Sequence, residues 1–319
     1  MAAEPGPGPM TQPRRDRRVV LLAGGTGGAK LAVGLQDRLL PGALSVVTNP
    51  GDDDDFWGLR ICPDLDAVLF RLAGIFNQEA GYGVAGETFA AHGMMHRLGE
   101  PDWFWLGDQD LAIHILRTRL LREGLPLTEV ALELGRRLRI PGAVIPVTDD
   151  VVRTFFSTAH GRLGFQEYFV REKLGPKLLG IEFEGLEKAR ASAAALECLA
   201  QAQLTVIGPS NPLISIAPMI SLLRPHLDPN STLAVSPIVG GRSLKGPTVD
   251  MMIALGLNPT ATGVATEYRD LARWFVLDRV DAAEAPAIEA LGFQVLLADT
   301  VMEDGASSGR LAEQILRNF

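Results

Sequence analysis

Val19-Val20-Leu21-Leu22-Ala23-Gly24-Gly25-Thr26-Gly27-Gly28-Ala29-Lys30-Leu31 is a five-residue apolar run that breaks into paired glycines and then takes up helical spacing. The apolar run reads as a buried strand, the glycines as a tight turn, and the residues from about Lys30 to Leu40 as a helix. A strand entering a helix through such a loop opens a parallel sheet covered by helices. The rest of the chain repeats the alternation. Strands are expected over residues 44–48, 143–148, 204–207, 233–236, 260–265, 274–277 and 293–298, with helices between them and a helix over 310–317 closing the chain. Residues from about 70 to 142 differ. Apolar positions recur there at helical spacing through Ala112, Ile113, Leu116, Leu120 and Leu121, then through Val130, Leu134 and Leu138. The expected fold is therefore α/β, a three-layer Rossmann-like and mainly parallel sheet, with a mostly helical insertion over about 70–142. Residues 1–18, rich in Pro and Gly and ending in Arg14, Arg15, Arg17 and Arg18, read as a disordered tail before a single domain over 19–319.

Composition bounds the function. The 319 residues are 47% hydrophobic and 21% charged, a globular balance. A net charge of −8 argues against nucleic acid or an anionic membrane as partner. Cys62 and Cys198 are the only cysteines, too few for a disulfide framework or a Cys-rich zinc site. No apolar run reaches the roughly 18 residues of a membrane span. No signal-peptide pattern precedes the first strand, so a cytoplasmic location is the expectation.

Ligands of open α/β sheets sit outside the carboxyl ends of the strands, and four unusual loops fall at such ends. The glycine loop supplies backbone amides and a helix N-terminus for phosphate, with Gly25, Thr26, Gly27, Gly28 and Lys30 as candidate ligands. It is not a Walker A loop, because Ala29 precedes the lysine, nor a full dinucleotide fingerprint, because Lys30 takes the third glycine position. The second loop is Gly51-Asp52-Asp53-Asp54-Asp55, followed after a short run by Cys62-Pro63-Asp64-Leu65-Asp66. Clustered carboxylates repel one another unless a cation compensates. Asp54 and Asp55 read as solvated loop or cap residues. Asp52, Asp53, Asp64 and Asp66 are the candidates for chemistry, and Mg²⁺ is the candidate metal because only oxygen ligands are on offer.

The third loop, Gly208-Pro209-Ser210-Asn211-Pro212, places Asn211 as a helix cap and offers Ser210 and Asn211 to a nucleotide. The fourth, residues 236–247, combines Gly240 and Gly241 with Arg242 and Lys245 as candidate phosphate ligands. Asp108 and Asp110 of Gly107-Asp108-Gln109-Asp110 read as first-turn residues of a helix. His92 and His96 are four apart but lack the glutamate of a zincin motif.

Together, Gly24–Leu31, Gly51–Asp53 with Gly58–Asp66, Gly107–Ala112, Thr148–Asp150, Gly208–Pro212 and Ser236–Pro247 resemble the 2-phospho-L-lactate transferase family of coenzyme F420 biosynthesis. Cys62-Pro63-Asp64-Leu65-Asp66 is the most specific segment. Pro50 and Gln109 depart from the family pattern, which usually has arginine at the latter position. The resemblance implies a guanosine diphospho-linked three-carbon acid as donor, lactyl or enolpyruvyl. It implies as acceptor 7,8-didemethyl-8-hydroxy-5-deazariboflavin, whose ribityl hydroxyl attacks phosphorus while GMP leaves. Asp52, Asp53 and Asp64 would then be catalytic, Asp52 and Asp64 the Mg²⁺ ligands, and Asp66 substrate-binding. Trp103 and Trp105 would either wall the deazaflavin ring or pack in the core. A homodimer is expected from the same resemblance. The rival readings are a non-catalytic nucleotide-binding regulator of related fold and, more weakly, a nicotinamide-dependent oxidoreductase.

Overall fold

Seven strands build the central sheet of the computed structural model, which describes residues 14–319. They are β1 (Val19–Ala23), β2 (Leu44–Thr48), β3 (Ala143–Pro146), β4 (Leu204–Ile207), β5 (Thr232–Val235), β6 (Trp274–Asp278) and β7 (Gln294–Ala298). Their order in space is β7-β6-β5-β4-β1-β2-β3, and every neighbouring pair is parallel. Such strands are buried on both faces, which is why β1 is uniformly apolar. Val19, Leu21 and Ala23 enter the core on one face, and Val20 and Leu22 the core on the other. The chain winds outward from β1 to β3, then returns to the opposite side of β1 and winds out to β7. Between β1 and β4 the direction reverses, and there the loops following the two strands part into a crevice.

On the first face lie α1 (Gly25–Arg38) and α2 (Pro63–Leu72). The stretch that follows holds α3 (Ala90–Arg97), α4 (Asp108–Arg122) and α5 (Leu127–Arg137), with only an isolated bridge between Phe76 and Val84. The closing helix, Gly305–Asn318, packs so tightly on α1 that a Cβ at Gly34 would lie 2.2 Å from the Ser308 carbonyl oxygen.

Several expectations need correction. Helix α1 begins at Gly25 rather than near Lys30, so the glycine run is itself the first helical turn. Residues 260–265 are not a strand. Thr260 caps the helix Ala261–Glu267 by accepting the Gly263 amide at 3.3 Å, and Ala261, Val264, Ala265 and Tyr268 bury one face at helical spacing. Residues 153–184 form an antiparallel three-stranded sheet of Arg153–Thr158, Gly161–Gly164 and Leu178–Glu184 that the sequence reading did not assign. Its first strand alternates half-buried and buried residues, the pattern of a sheet wetted on one face.

The tail reading covers residues 1–13, which lie outside the described residues, but it does not hold for the segment after them. Arg15 donates its amide to the Arg38 carbonyl at 2.8 Å and pairs with Glu313 at 2.8 Å, and Arg18 is held by Gln201 and Gln203.

Candidate active site

The crevice between β1 and β4 is closed by direct contact of the two loops. Ser210 Oγ accepts the Gly24 amide at 3.1 Å and donates to the Gly24 carbonyl. A Cβ at Gly27 would stand 2.1 Å from the Pro209 carbonyl oxygen, so glycine there is a requirement of close approach. Gly25 has a φ of +60°, which glycine adopts at little cost, and this turns its amide toward Asp64. Thr26 and Gly27 occupy the remaining first-turn positions of α1, where amides have no carbonyl within their own helix.

The acidic residues come from two elements. Asp52 and Asp53 leave β2 through Asn49, Pro50 and Gly51, where the Gly51 amide donates to Asn49 Oδ1 at 2.9 Å. Asp64 and Asp66 sit in the first turn of α2, where the helix dipole favours anions. All four are nearly buried. One oxygen of Asp64 accepts the Gly25 amide and the other accepts Asn49 Nδ2 at 3.0 Å. Burial raises the Asp64 carboxyl to about 6 against these hydrogen bonds. The Asp52 carboxyl is pushed well above the ordinary range by burial and by the charges of Asp64 and Asp53, and its Oδ1 has no partner. Burial raises Asp53 to about 7, opposed by the Cys62 thiol and Arg117. These carboxyls hold protons tightly chiefly because they are buried, a cost that a bound cation would offset.

Two cavities meet at this cluster. The larger, about 440 Å³, is walled by the glycine loop, Asp52, residues 209–211, Lys30, Lys245 and the loop 300–303 that follows β7. The smaller, about 230 Å³, lies under Phe70, Phe76, Tyr82, Phe104 and Trp105. Gly25, Thr26 and Asp64 line both.

Comparison with known proteins shows the family of the chain. The family model described as 2-phospho-L-lactate transferase CofD matches residues 19–282. The chain belongs to that family. It is 38% identical over 309 residues to the 2-phospho-L-lactate transferase of Methanopyrus kandleri, covering 94% of this chain and 97% of that protein. It is 34% identical over 310 residues to the phosphoenolpyruvate transferase of Streptomyces avermitilis, with 94% and 97% covered. A crystal structure of a UPF0052 family member from Bacillus halodurans superposes with a TM-score of 0.62 at 14% identity, covering 95% of this chain and 99% of that one, and shows the shared α/β fold. Family membership makes the protein a transferase of coenzyme F420 biosynthesis.

Within this CofD-family site the candidate residues divide. Asp52, Asp64, Gly25, Thr26, Gly27, Lys30, Ser210, Asn211 and Lys245 all line the larger cavity. Asn211 also caps its helix, accepting the Leu213 amide at 2.9 Å. Gly28 lines neither cavity; a Cβ there would meet Ala23 Cβ at 2.7 Å and Ser210 Oγ at 2.9 Å. Asp53 stands behind the cluster and lines neither. Gly240 and Arg242 lie on the hairpin Ile238–Val239/Arg242–Ser243 away from both cavities, where the Gly240 amide donates to Asp281. Asp66 borders the smaller cavity, but Arg117, fully buried, engages both of its oxygens. Asp54 and Asp55 open a hairpin, Asp54–Phe56 with Leu59–Ile61, whose turn residues Trp57 and Gly58 both have positive φ, and Asp55 pairs with Arg60 at 2.9 Å and Arg153 at 2.7 Å. Trp105 borders the smaller cavity, while Trp103 packs edge-on to Phe56. Gln109 bonds the Ala85 and Gly86 carbonyls of the overlying loop.

Sequence reasoning missed Asn49, Gln166, Arg117 and the 300–303 loop. Gln166 Nε2 donates to the Asp52 carbonyl at 2.8 Å. Arg117 belongs to a polar stripe, Asp110, His114 and Arg117 at i, i+4 and i+7 on one face of α4. The 300–303 loop follows the carboxyl end of a sheet strand, like the four loops that were singled out. Among the described residues no group of three or more His, Cys, Asp and Glu side chains is arranged to hold a metal ion. A divalent cation here would therefore draw two protein carboxylates, Asp52 and Asp64, and complete its shell from water and a ligand's phosphates, a set Mg²⁺ accepts. No helix among the described residues is long and apolar enough to cross a membrane.

Proposed function

We propose that the protein transfers a phospho-three-carbon-acid group, phospholactyl or phosphoenolpyruvyl, from a guanosine diphospho donor to the ribityl hydroxyl of 7,8-didemethyl-8-hydroxy-5-deazariboflavin, releasing GMP. The observation that carries this reading is the pair of cavities joined at Gly25, Thr26 and Asp64. The larger has the volume of a nucleotide site and two lysines for its phosphates. The smaller is walled by aromatic side chains suited to a flat ring.

The hydroxyl oxygen forms the new bond to the phosphorus that bears the acid, and the bond from that phosphorus to the GMP oxygen breaks. The hydroxyl proton passes to an oxygen of the Asp52–Asp64 pair that is not engaged in holding a cation. Lys30, Lys245 and the first-turn amides of α1 take up the charge that moves onto the leaving phosphate. Lys30 is anchored by donating to the Met302 carbonyl. Asp52 and Asp64 would hold Mg²⁺, which supplies charge neutralisation on the diphosphate when bound.

Incubation with the deazaflavin, each donor in turn and Mg²⁺, followed by chromatography of GMP and the mass of the deazaflavin product, tests the reading and identifies the acid. GMP release that persists undiminished in EDTA removes the metal role. Nucleotide binding with no GMP released under any donor supports the regulator reading instead.

A further inference from the structure

The smaller cavity contains one histidine whose hydrogen-bonding state is fixed by its surroundings. His114 is 3% exposed, lines the cavity from α4, and presents Nδ1 to Arg117 Nη1 at 3.1 Å. A guanidinium is donor-only, so Nδ1 accepts and the ring proton sits on Nε2. Arg117 is itself locked by Asp66 and by the Arg60 carbonyl at 3.3 Å. The imidazole therefore stays neutral, although Asp66 lies 3.7 Å away. Burial first, and the Arg117 charge after it, lowers its proton affinity to about 4. Nε2–H has no acceptor among the described residues, in a cavity otherwise walled largely by apolar rings. A ligand acceptor in the cavity can take this hydrogen bond in place of water.

Resting on the transferase reading above, we propose that His114 is a specificity-determining residue for the acceptor, its Nε2–H donating to a neutral carbonyl oxygen on the edge of the deazaflavin ring. The charge around the cavity selects the carbonyl edge. Asp64 borders the same space and disfavours an anionic edge, while Asp66 is paired with Arg117 and Asp110 keeps its proton up to about pH 7. A neutral carbonyl gains the hydrogen bond without that repulsion. Arg117 and Asp66 are positioning residues here, acting through the tautomer of His114.

The test compares His114→Phe, which keeps a flat ring of similar size without the donor, with His114→Gln, which restores a donor. Deazaflavin binding is followed by its fluorescence, and initial rates give KM for each substrate and kcat. His114→Phe is expected to weaken deazaflavin binding and raise its KM about five- to tenfold, the scale of one neutral hydrogen bond. The donor KM and kcat should stay within about twofold. His114→Gln should recover part of the loss. Thermal melting of both variants checks folding. An unchanged deazaflavin Kd and KM in a folded, active His114→Phe overturns the proposal and leaves the transferase reading intact. Equal losses for both substrates, or no recovery in His114→Gln, also overturn it. Absence of GMP release in the wild-type enzyme strikes instead at the underlying reading.

Discussion

Replacing Arg117 with methionine tests whether the acid cluster is held in place by a buried ion pair. The guanidinium is fully buried on α4, and its two terminal nitrogens take both oxygens of Asp66 in the first turn of α2. Arg117→Met keeps much of the side-chain volume but strands the Asp66 carboxylate, itself nearly buried, without its cation. Breaking such a pair from one side costs about 3–5 kcal/mol. An unfolding entropy of about 2.1 cal/mol/K per residue turns that cost into a fall in Tm of roughly 5–8 °C for a chain of this length. The assay is thermal unfolding followed by circular dichroism, extended to Asp66→Asn and the double variant. The double variant should melt no lower than Arg117→Met, because the stranded charge is gone. A single variant melting within about 1 °C of wild type, or a double variant at the sum of the two losses, refutes the buried pair as the tie between α4 and α2.

Asp64→Asn should cut GMP release at least about 100-fold, the scale of a lost key electrostatic group. Asp52→Asn should do the same while raising Tm at neutral pH, since folding no longer has to bury a carboxyl that the unfolded chain ionises. A variant that keeps wild-type turnover shows that its carboxylate is structural. Asp110 keeps its proton in the native state up to about pH 7, against 3.8 for an unperturbed aspartate, chiefly through burial. The unfolded chain releases that proton first, so stability falls as pH rises from about 4 to 7. Asp110→Asn should therefore stabilise more at pH 8 than at pH 4, read as the difference in Tm; an equal shift at both rejects the raised proton affinity. Gly27→Ala pushes a methyl onto the Pro209 carbonyl and should lower both Tm and turnover, so a neutral substitution there would mean that the two loops part easily.

The sheet was legible because strands buried on both faces must be apolar throughout, and seven of the eight expected strands stand within about two residues of where the pattern put them. Residues 260–265 misled because a short apolar run carries no period of its own, and the Thr260 cap decided the matter. The small antiparallel sheet at 153–184 was missed although its alternation is visible, because it interrupts the βα rhythm. Charge clustering singled out Asp52, Asp53, Asp64 and Asp66 as a set, of which Asp52 and Asp64 line the larger cavity. Their difference from Asp53 and Asp66 was not legible, since it depends on which carboxylates a thiol and a distant arginine occupy in space. Arg117 is 51 positions from Asp66, and no local pattern links them.

The docking of helix Gly305–Asn318 against α1 has a consequence for synthesis. The loop 300–303 that walls the larger cavity hangs from β7, the last strand of the sheet to leave the ribosome, and is anchored by a helix that must find the one built almost three hundred residues earlier. A nascent chain that has folded its glycine loop and acid cluster still lacks one side of the larger cavity. The wall of the larger cavity is therefore complete only once the two extremities of the fold have met.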